Sequence, residues 1–482
     1  MQKLKNDLEQ NLDQNLASHL PKQSTWDLYL VLGSLGIFAI ALFLRLWHLD
    51  YVAYPVFDEV YFPKYAEEYL QGVATWEGHP PLAKYLIMLG IIVFGHNEIG
   101  YRIASALFGA VVPILTIGVA YRLTYQRTFA LLSGLFVLSD GLFLVESRLG
   151  LINVFLVVFG MASQIFLLAG LQQEDTTPRT FLLCCAGLML GASASVKWNG
   201  LGFGLLLFLL ILFIWAIAKF SPKHIRQTGI LSELIKLHWW QYLLAFVIVP
   251  IAFYVLQWIP LLMLNSGGIS LKTDFGAISS FWEALIRVHQ HIIWWHSSSA
   301  VTTIDPTQPS HPYCSSAISW AVSARPIGYY FQNQNGYFSV IQALGNPILW
   351  WLSTLSIVII TGASLSSRFL KLTNPQITSP QSSYLLLGYF ANYAPWLLVK
   401  RCLFIYHYMS AAVFSFMALA WLVTKMIDRQ GITRYLGYAI IAIVMLAQIF
   451  FSPIWFGFPI SPSDFYQRMW FMPDKVFGFN WI

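Results

Sequence analysis

The sequence predicts an all-α polytopic membrane protein with about eleven transmembrane helices and two large extracytoplasmic loops. Three observations carry that prediction. Hydrophobic residues make up 57% of the 482 positions and charged residues only 10%, against roughly 25% charged in a soluble protein. The mean hydropathy is +0.61. Apolar runs of about 20 residues, enough to cross the hydrocarbon core, recur along the chain. In lipid each must be a helix that satisfies its own backbone.

The elements follow in order. Residues 1–26 are polar, with Leu4, Leu8, Leu12, Leu16 and Leu20 four apart. This spacing predicts a short amphipathic helix on the cytoplasmic face. The charged stretch is too long for a signal peptide, and no small-residue cleavage site follows the first span. Spans are expected near 27–47, 101–121, 129–146, 151–171, 180–196, 200–219, 240–262, 346–362, 383–399, 405–424 and 435–452. The short run 83–95 follows a Pro pair and reads as re-entrant, interfacial or the outer part of the second span. One membrane domain, 27–482, thus carries an outer loop at 48–100, a second at 263–345 and an outer tail at 453–482. Within the second loop, 281–296 reads as an interfacial helix rich in Trp and His.

Orientation follows from Lys and Arg in short loops. Arg122 and Arg127, then Lys219, Lys223, Arg226 and Lys236, then Arg368 and Lys371, then Lys425, Arg429 and Arg434 all fall on the side of the N-terminus. That side is expected to be cytoplasmic, which places both loops and the tail outside. The formal charge of +6 reflects this bias and gives no reason to invoke nucleic acid. The four cysteines have no metal-ligand spacing: Cys184 and Cys185 lie in a span, Cys314 in the outer loop and Cys402 near an outer helix end.

The chemistry is expected at the outer helix ends. Asp58 and Glu59 sit among Tyr54, Phe57, Tyr61 and Phe62, just beyond the first span. A solvated loop pair is the ordinary reading of two such acids. In a chain with so few charges, each one near lipid is costly and points to function, and a carboxylate there can deprotonate an attacking hydroxyl. Arg148, Lys197, Lys400 and Arg401 also fall at outer ends, followed by Tyr406 and His407. Singly these cations read as snorkelling side chains; together they suit an anion such as a lipid phosphate. His79 and Lys84 in the first loop, and His311, Tyr313 and Arg325 in the second, are candidates for acceptor contacts. His289, His291 and His296 do not share one helical face, so no metal site is expected from them.

At these residues the chain resembles the protein O-mannosyltransferases, multi-spanning glycosyltransferases of the GT-C architecture. The matching segments are FDEVYFPKYA (57–66), EGHPPLAKYL (77–86), ESRLGLINVF (146–155), KWNGLGFG (197–204), HPYCSSAISWAVSARPIGYY (311–330), ALGNPILWW (343–351), GYFANYAPWLLVKRCLFIYHYM (388–409) and FSPIWFGFPIS (451–461). The resemblance implies that Asp58 is the catalytic acid position, with Glu59 beside it. It implies that Arg148, Arg401 and the Tyr406-His407-Tyr408 segment serve lipid-phosphate binding, with Lys197 and His407 as further donors of positive charge or hydrogen bonds. Glu146 stands where the family usually has Gln. Eukaryotic members insert a soluble β-trefoil in the large outer loop; with only about eighty residues there, this chain looks like the bacterial form.

The resemblance implies a polyprenyl-phosphate-mannose donor, Ser/Thr hydroxyls of exported polypeptides as acceptor, inversion at the sugar, and a multi-pass protein of the cell (plasma) membrane with its site outside. Two other readings remain: transfer to a lipid or cell-wall glycan, and a polyprenyl-linked sugar transporter, which internal repeats and midplane charges would favour. No cofactor is expected. Asp58, Glu59 and a lipid phosphate could together ligate a divalent ion through oxygen, but the reading favours no required metal.

Overall fold

A computed structural model describes residues 27–73, 75, 78–264, 278–297, 311–369, 379–399, 401–472 and 479–482. The predicted amphipathic helix at 1–26 and the candidate cation Lys400 lie outside the described residues. Among the described residues, nine helices are long and apolar enough to cross a membrane. They are Leu28–Leu46 (α1), Glu98–Thr124, Asn153–Leu171, Thr176–Val196, Trp198–Phe220, Trp239–Leu262, Pro347–Ser366, Ile405–Ile427 and Ile432–Phe456. Each coincides with an expected span.

The other two expected spans are irregular. The run at 129–146 is a pair of helices, Arg127–Leu138 and Gly141–Arg148, bent by 58° at Ser139-Asp140. Asp140 explains the break. Its carboxylate caps the second helix by accepting from Phe143 N (3.0 Å), and also accepts from Asn346 N (3.0 Å) and Trp350 Nε1 (2.6 Å). Asn346 returns hydrogen bonds to the carbonyls of Ser139 and Val444. The backbone groups freed at the bend are therefore satisfied by protein, as lipid demands. The run at 383–399 is a 14-residue α-helix, Pro380–Tyr393, continued by a 3-10 segment, Ala394–Leu398. The short run near 83–95 is the helix Leu82–Phe94.

Burial sorts the spans. In Asn153–Leu171 and in Ile405–Ile427, 78% of the apolar window is buried, against 11% in α1. The former two are central; α1 presents Leu28, Leu32, Leu35, Ile40 and Phe43 outward, as a helix facing lipid must.

The all-α expectation needs one addition. In the second outer loop, Ile327–Gln334 (β1) and Tyr337–Ala343 (β2) form an antiparallel hairpin. Asn335 and Gly336 both have positive φ (51° and 83°), the conformation that an Asn-Gly hairpin turn requires. Phe338 pairs with Ile460, so the loop and the tail meet. The register slips between Gly328 and Tyr330, a bulge that re-aims Tyr329 inward. A disulfide joins Cys314 to Cys402, with Cα atoms 5.2 Å apart. The expected interfacial helix is Ile278–Ser297 (α2), which buries Ala284, Leu285, Val288 and Ile292 and exposes Trp282, Ile286, Ile293, Trp294 and Trp295.

Candidate active site

The site forms where the 48–100 loop, the hairpin loop and the start of Ile405–Ile427 meet. Phe57–Val60 is a single 3-10 turn. Phe57 has φ 52°, a costly conformation for a bulky side chain. Its ring is locked by Tyr329 (4.9 Å), His311 (5.5 Å) and Phe404 (5.6 Å). Such strain of about 1–3 kcal/mol persists only where surroundings over-determine the backbone. Here it turns Asp58 toward Tyr406, whose Oη donates to Asp58 Oδ2 at 3.3 Å.

Glu59 does something else. It is fully buried. Its Oε1 accepts from Arg102 Nε (2.8 Å) and Gly150 N (2.6 Å), and its Oε2 from Arg102 Nη2 (2.8 Å) and Val56 N (3.2 Å). Four donors fill the four lone-pair sites of a carboxylate. Arg102 also donates to the carbonyls of Leu49, Val52 and Tyr54. Glu59, the other expected catalytic acid, is thus held on both oxygens by donors and anchors the loop that carries Asp58. Removing one member of such a buried pair costs about 3–5 kcal/mol.

Arg148 is held by backbone carbonyls. Its Nη1 donates to the carbonyls of Leu44 (2.8 Å), Arg45 (3.3 Å) and Trp47 (2.7 Å), its Nη2 to that of His48 (3.0 Å), and it lies 4.7 Å over the Phe456 ring. It caps the C-terminal carbonyls of α1, which have no intrahelical partner.

Lys197 and Arg401 do converge. Lys197 follows Thr176–Val196, is buried, donates to Asn153 Oδ1 at 3.3 Å and stands 4.9 Å over the Tyr406 ring. The charges of Lys197 and Arg401 both act on His79 and His296. Burial first, then Lys197 and the other neighbouring cationic groups, holds the His79 imidazole well below its ordinary range. His407 is buried, donates from Nδ1 to the Phe404 carbonyl (2.9 Å) and packs on Trp320 and Trp396. With its carbonyl partner, Nδ1 carries the proton.

The remaining candidates make the following contacts. Lys84 Nζ donates to the carbonyls of His79 (2.9 Å) and Pro80 (2.8 Å), fixing the His-Pro-Pro turn. The His79 and His296 rings lie 5.3 Å apart, and His296 Nε2 bonds the Gly78 carbonyl at 2.7 Å. His311 is half-buried beside Phe57 and Phe404. Arg325 packs on Tyr313 and donates to the carbonyls of Pro312, Asn480 and Ile482, so it ties the tail to the loop. Two residues at the centre were missed. Asn153 donates to Glu146 Oε2 (2.9 Å), and Tyr329 donates to Glu146 Oε1. Asn153 lies in the 146–155 segment and was open to notice; Tyr329 depends on the bulge.

A membrane bundle that gathers the Asp58 carboxylate and the buried cations at one end, under the 48–100 and 263–345 loops, has the GT-C fold. The structure superimposes on the Saccharomyces cerevisiae protein O-mannosyltransferase Pmt1-Pmt2 complex bound to the sugar donor, with TM-score 0.76 at 16% identity, covering 95% of this chain and 94% of that one. It is also similar to ArnT from Cupriavidus metallidurans bound to undecaprenyl phosphate (TM-score 0.53, 15% identity, 90% of this chain and 66% of that one). Residues 36–263 match the family of dolichyl-phosphate-mannose-protein mannosyltransferases, and 281–473 match the C-terminal four-span region of protein O-mannosyltransferases. The chain belongs to the protein O-mannosyltransferase family. It is 27% identical to the polyprenol-phosphate-mannose–protein mannosyltransferase of Corynebacterium glutamicum, over 86% of this chain and 88% of that protein.

Proposed function

We propose that this protein transfers mannose from a polyprenyl-phosphate-mannose to Ser or Thr hydroxyls of exported polypeptides, with inversion, at the outer face of the cell membrane. The observation that supports this most directly is Asp58, held by the Tyr406 hydroxyl beside the Lys197 ammonium over the same ring. Asp58 accepts the proton of the acceptor hydroxyl as its oxygen bonds to the anomeric carbon. The bond from that carbon to the phosphate oxygen breaks, and the electron pair leaves with the polyprenyl phosphate. Lys197 and Arg401 stabilise the charge that develops there, commonly the largest catalytic contribution. A phosphate already ionised at neutral pH leaves without a general acid, so one carboxylate suffices where glycoside hydrolases use two. Two cations beside the phosphate supply the positive charge a metal would otherwise bring, so no metal is required in this reading.

The positively charged short loops support an N-terminus in the cytoplasm and a site outside. A disulfide at the site, Cys314–Cys402, suits an oxidising outer compartment.

The test is mannose transfer from a polyprenyl-phosphate donor to a Ser/Thr peptide by the purified protein and its Asp58→Asn variant. Loss of at least about 100-fold in the variant, with donor binding retained, is the expected result. Transfer only to a lipid or glycan acceptor would replace the acceptor; full activity of the variant would remove Asp58 as base.

A further inference from the structure

Glu146 is fully buried, and a buried carboxylate is costly unless something is gained by it. It accepts from Tyr329 Oη at Oε1 and from Asn153 Nδ2 at Oε2 (2.9 Å). Asn153 turns its other amide atom, Oδ1, to Lys197 Nζ at 3.3 Å. Lys197 then stands 4.9 Å over the Tyr406 ring, whose hydroxyl meets Asp58. The charges of Lys197 and Asp58 both act on Glu146.

An Asn side chain has a donor end and an acceptor end, and its neighbours decide which faces where. An ammonium can only donate, so Lys197 needs the acceptor end. The amide must then find an acceptor on its other side, and Glu146 is that acceptor. Without it the Asn153 NH2 loses its acceptor, and the amide is no longer held with Oδ1 toward the ammonium.

We propose that Glu146 is a positioning residue for Lys197: through Asn153 it sets the amide orientation that keeps the ammonium over Tyr406, beside Asp58. The proposal rests on the reading above that Lys197 stabilises the leaving phosphate. A Gln at 146 can face its carbonyl to Asn153 and its NH2 to the Tyr329 oxygen, because a phenol hydroxyl rotates. A Leu of similar size offers no acceptor.

The experiment is transfer kinetics on the purified full chain, with polyprenyl-phosphate-mannose and a Ser/Thr peptide. The variants are Glu146→Leu, Glu146→Gln, Asn153→Leu, Lys197→Ala, and Lys197→Ala combined with each of the two Leu variants. We expect Glu146→Leu to lower kcat/KM for the donor about tenfold or more, with the peptide KM unchanged, and Glu146→Gln to restore most of that loss. In the Lys197→Ala background, Glu146→Leu should add less than about twofold, because contacting residues in one network are not additive. A further tenfold loss in that background would overturn the proposal, since Glu146 would then act on something other than Lys197. Full activity of Lys197→Ala would instead remove the phosphate role of Lys197, and the positioning role with it. If Glu146→Leu fails to fold, the Asn153→Leu cycle with Lys197→Ala decides the same question with the same thresholds.

Discussion

Tyr406 and Asp58 lie 348 positions apart in the sequence and 3.3 Å apart in the structure, the phenol donating to the carboxylate. The contact joins the 48–100 loop to the head of Ile405–Ile427, one of the two most deeply buried spans, so the orientation of Asp58 depends on the closed fold. A hydrogen bond to a charged group contributes about 1.5–3 kcal/mol. Part of that remains when water replaces the phenol, so Tyr406→Phe is expected to lower kcat about tenfold with little change in the donor KM. Combined with Asp58→Asn it should lower the rate no further. An additive double variant would show that Tyr406 acts elsewhere than on Asp58.

Arg148 and Arg401 are predicted to separate experimentally although the sequence treats them alike. Arg148 is engaged with four carbonyls at the end of α1, so Arg148→Ala leaves buried acceptors unsatisfied, at about 1–3 kcal/mol each for those that water cannot reach. The thermal midpoint in detergent should fall while the donor KM of the surviving protein stays put. Arg401, beside Lys197, should behave in the opposite way: Arg401→Ala raises the donor KM about tenfold or more at nearly unchanged midpoint. A donor KM effect from Arg148→Ala at full stability would return Arg148 to the phosphate site.

Cys314–Cys402 closes a loop of 88 residues and is reinforced by Ser315 N donating to the Leu403 carbonyl at 2.8 Å. A bridge across a loop of this length stabilises by about 2–4 kcal/mol. Reductant is therefore expected to lower the midpoint of the parent, and to lower its transfer rate by releasing Arg401 next to the bridge. A Cys314→Ser/Cys402→Ser variant should start low and not respond. Cys184 and Cys185 are free and lie in Thr176–Val196, so labelling of four thiols in the non-reduced, denatured parent would rule the bridge out.

The spans and the position of Asp58 just beyond a helix end were legible because hydropathy and isolated charge are local properties. The bend at Ser139-Asp140 left a local trace, since Asp followed by Gly141 is a helix-start signal, but an apolar run on both sides masked it. Asn335-Gly336 between Phe331 and Phe338 was likewise a readable hairpin signal. The division of labour between Asp58 and Glu59, or between Arg148 and Arg401, was not readable. Each pair has the same chemistry and the same depth along the chain. What distinguishes them is a partner brought from elsewhere: Arg102 for Glu59, the carbonyls of α1 for Arg148. The pairing of Cys314 with Cys402 depends on the same kind of long-range closure.

The docking of α2 is predicted to depend on pH. His296 bonds the Gly78 carbonyl at 2.7 Å and packs against His79 and Trp198. Burial first, then the Arg401 charge, lowers its imidazole from the ordinary 6.5 to about 4, with Lys197 adding to the fall and the Gly78 bond opposing it. His79, facing it, is lowered by burial and by Lys197, His296, Lys84 and Arg401. Between pH 6.5 and about 4 the undocked helix binds a proton at His296 that the docked one does not, so stability rises with pH across this window. The contribution is fully present above pH 6.5 and is lost as pH falls toward 4. Hydrogen exchange in residues 278–297, corrected for intrinsic rates, should therefore be faster at pH 5 than at pH 7.5. His296→Gln keeps a donor for the Gly78 carbonyl without a titrating ring, and should flatten the dependence to what His79 alone contributes. An unchanged slope in that variant would assign the effect to a group other than His296.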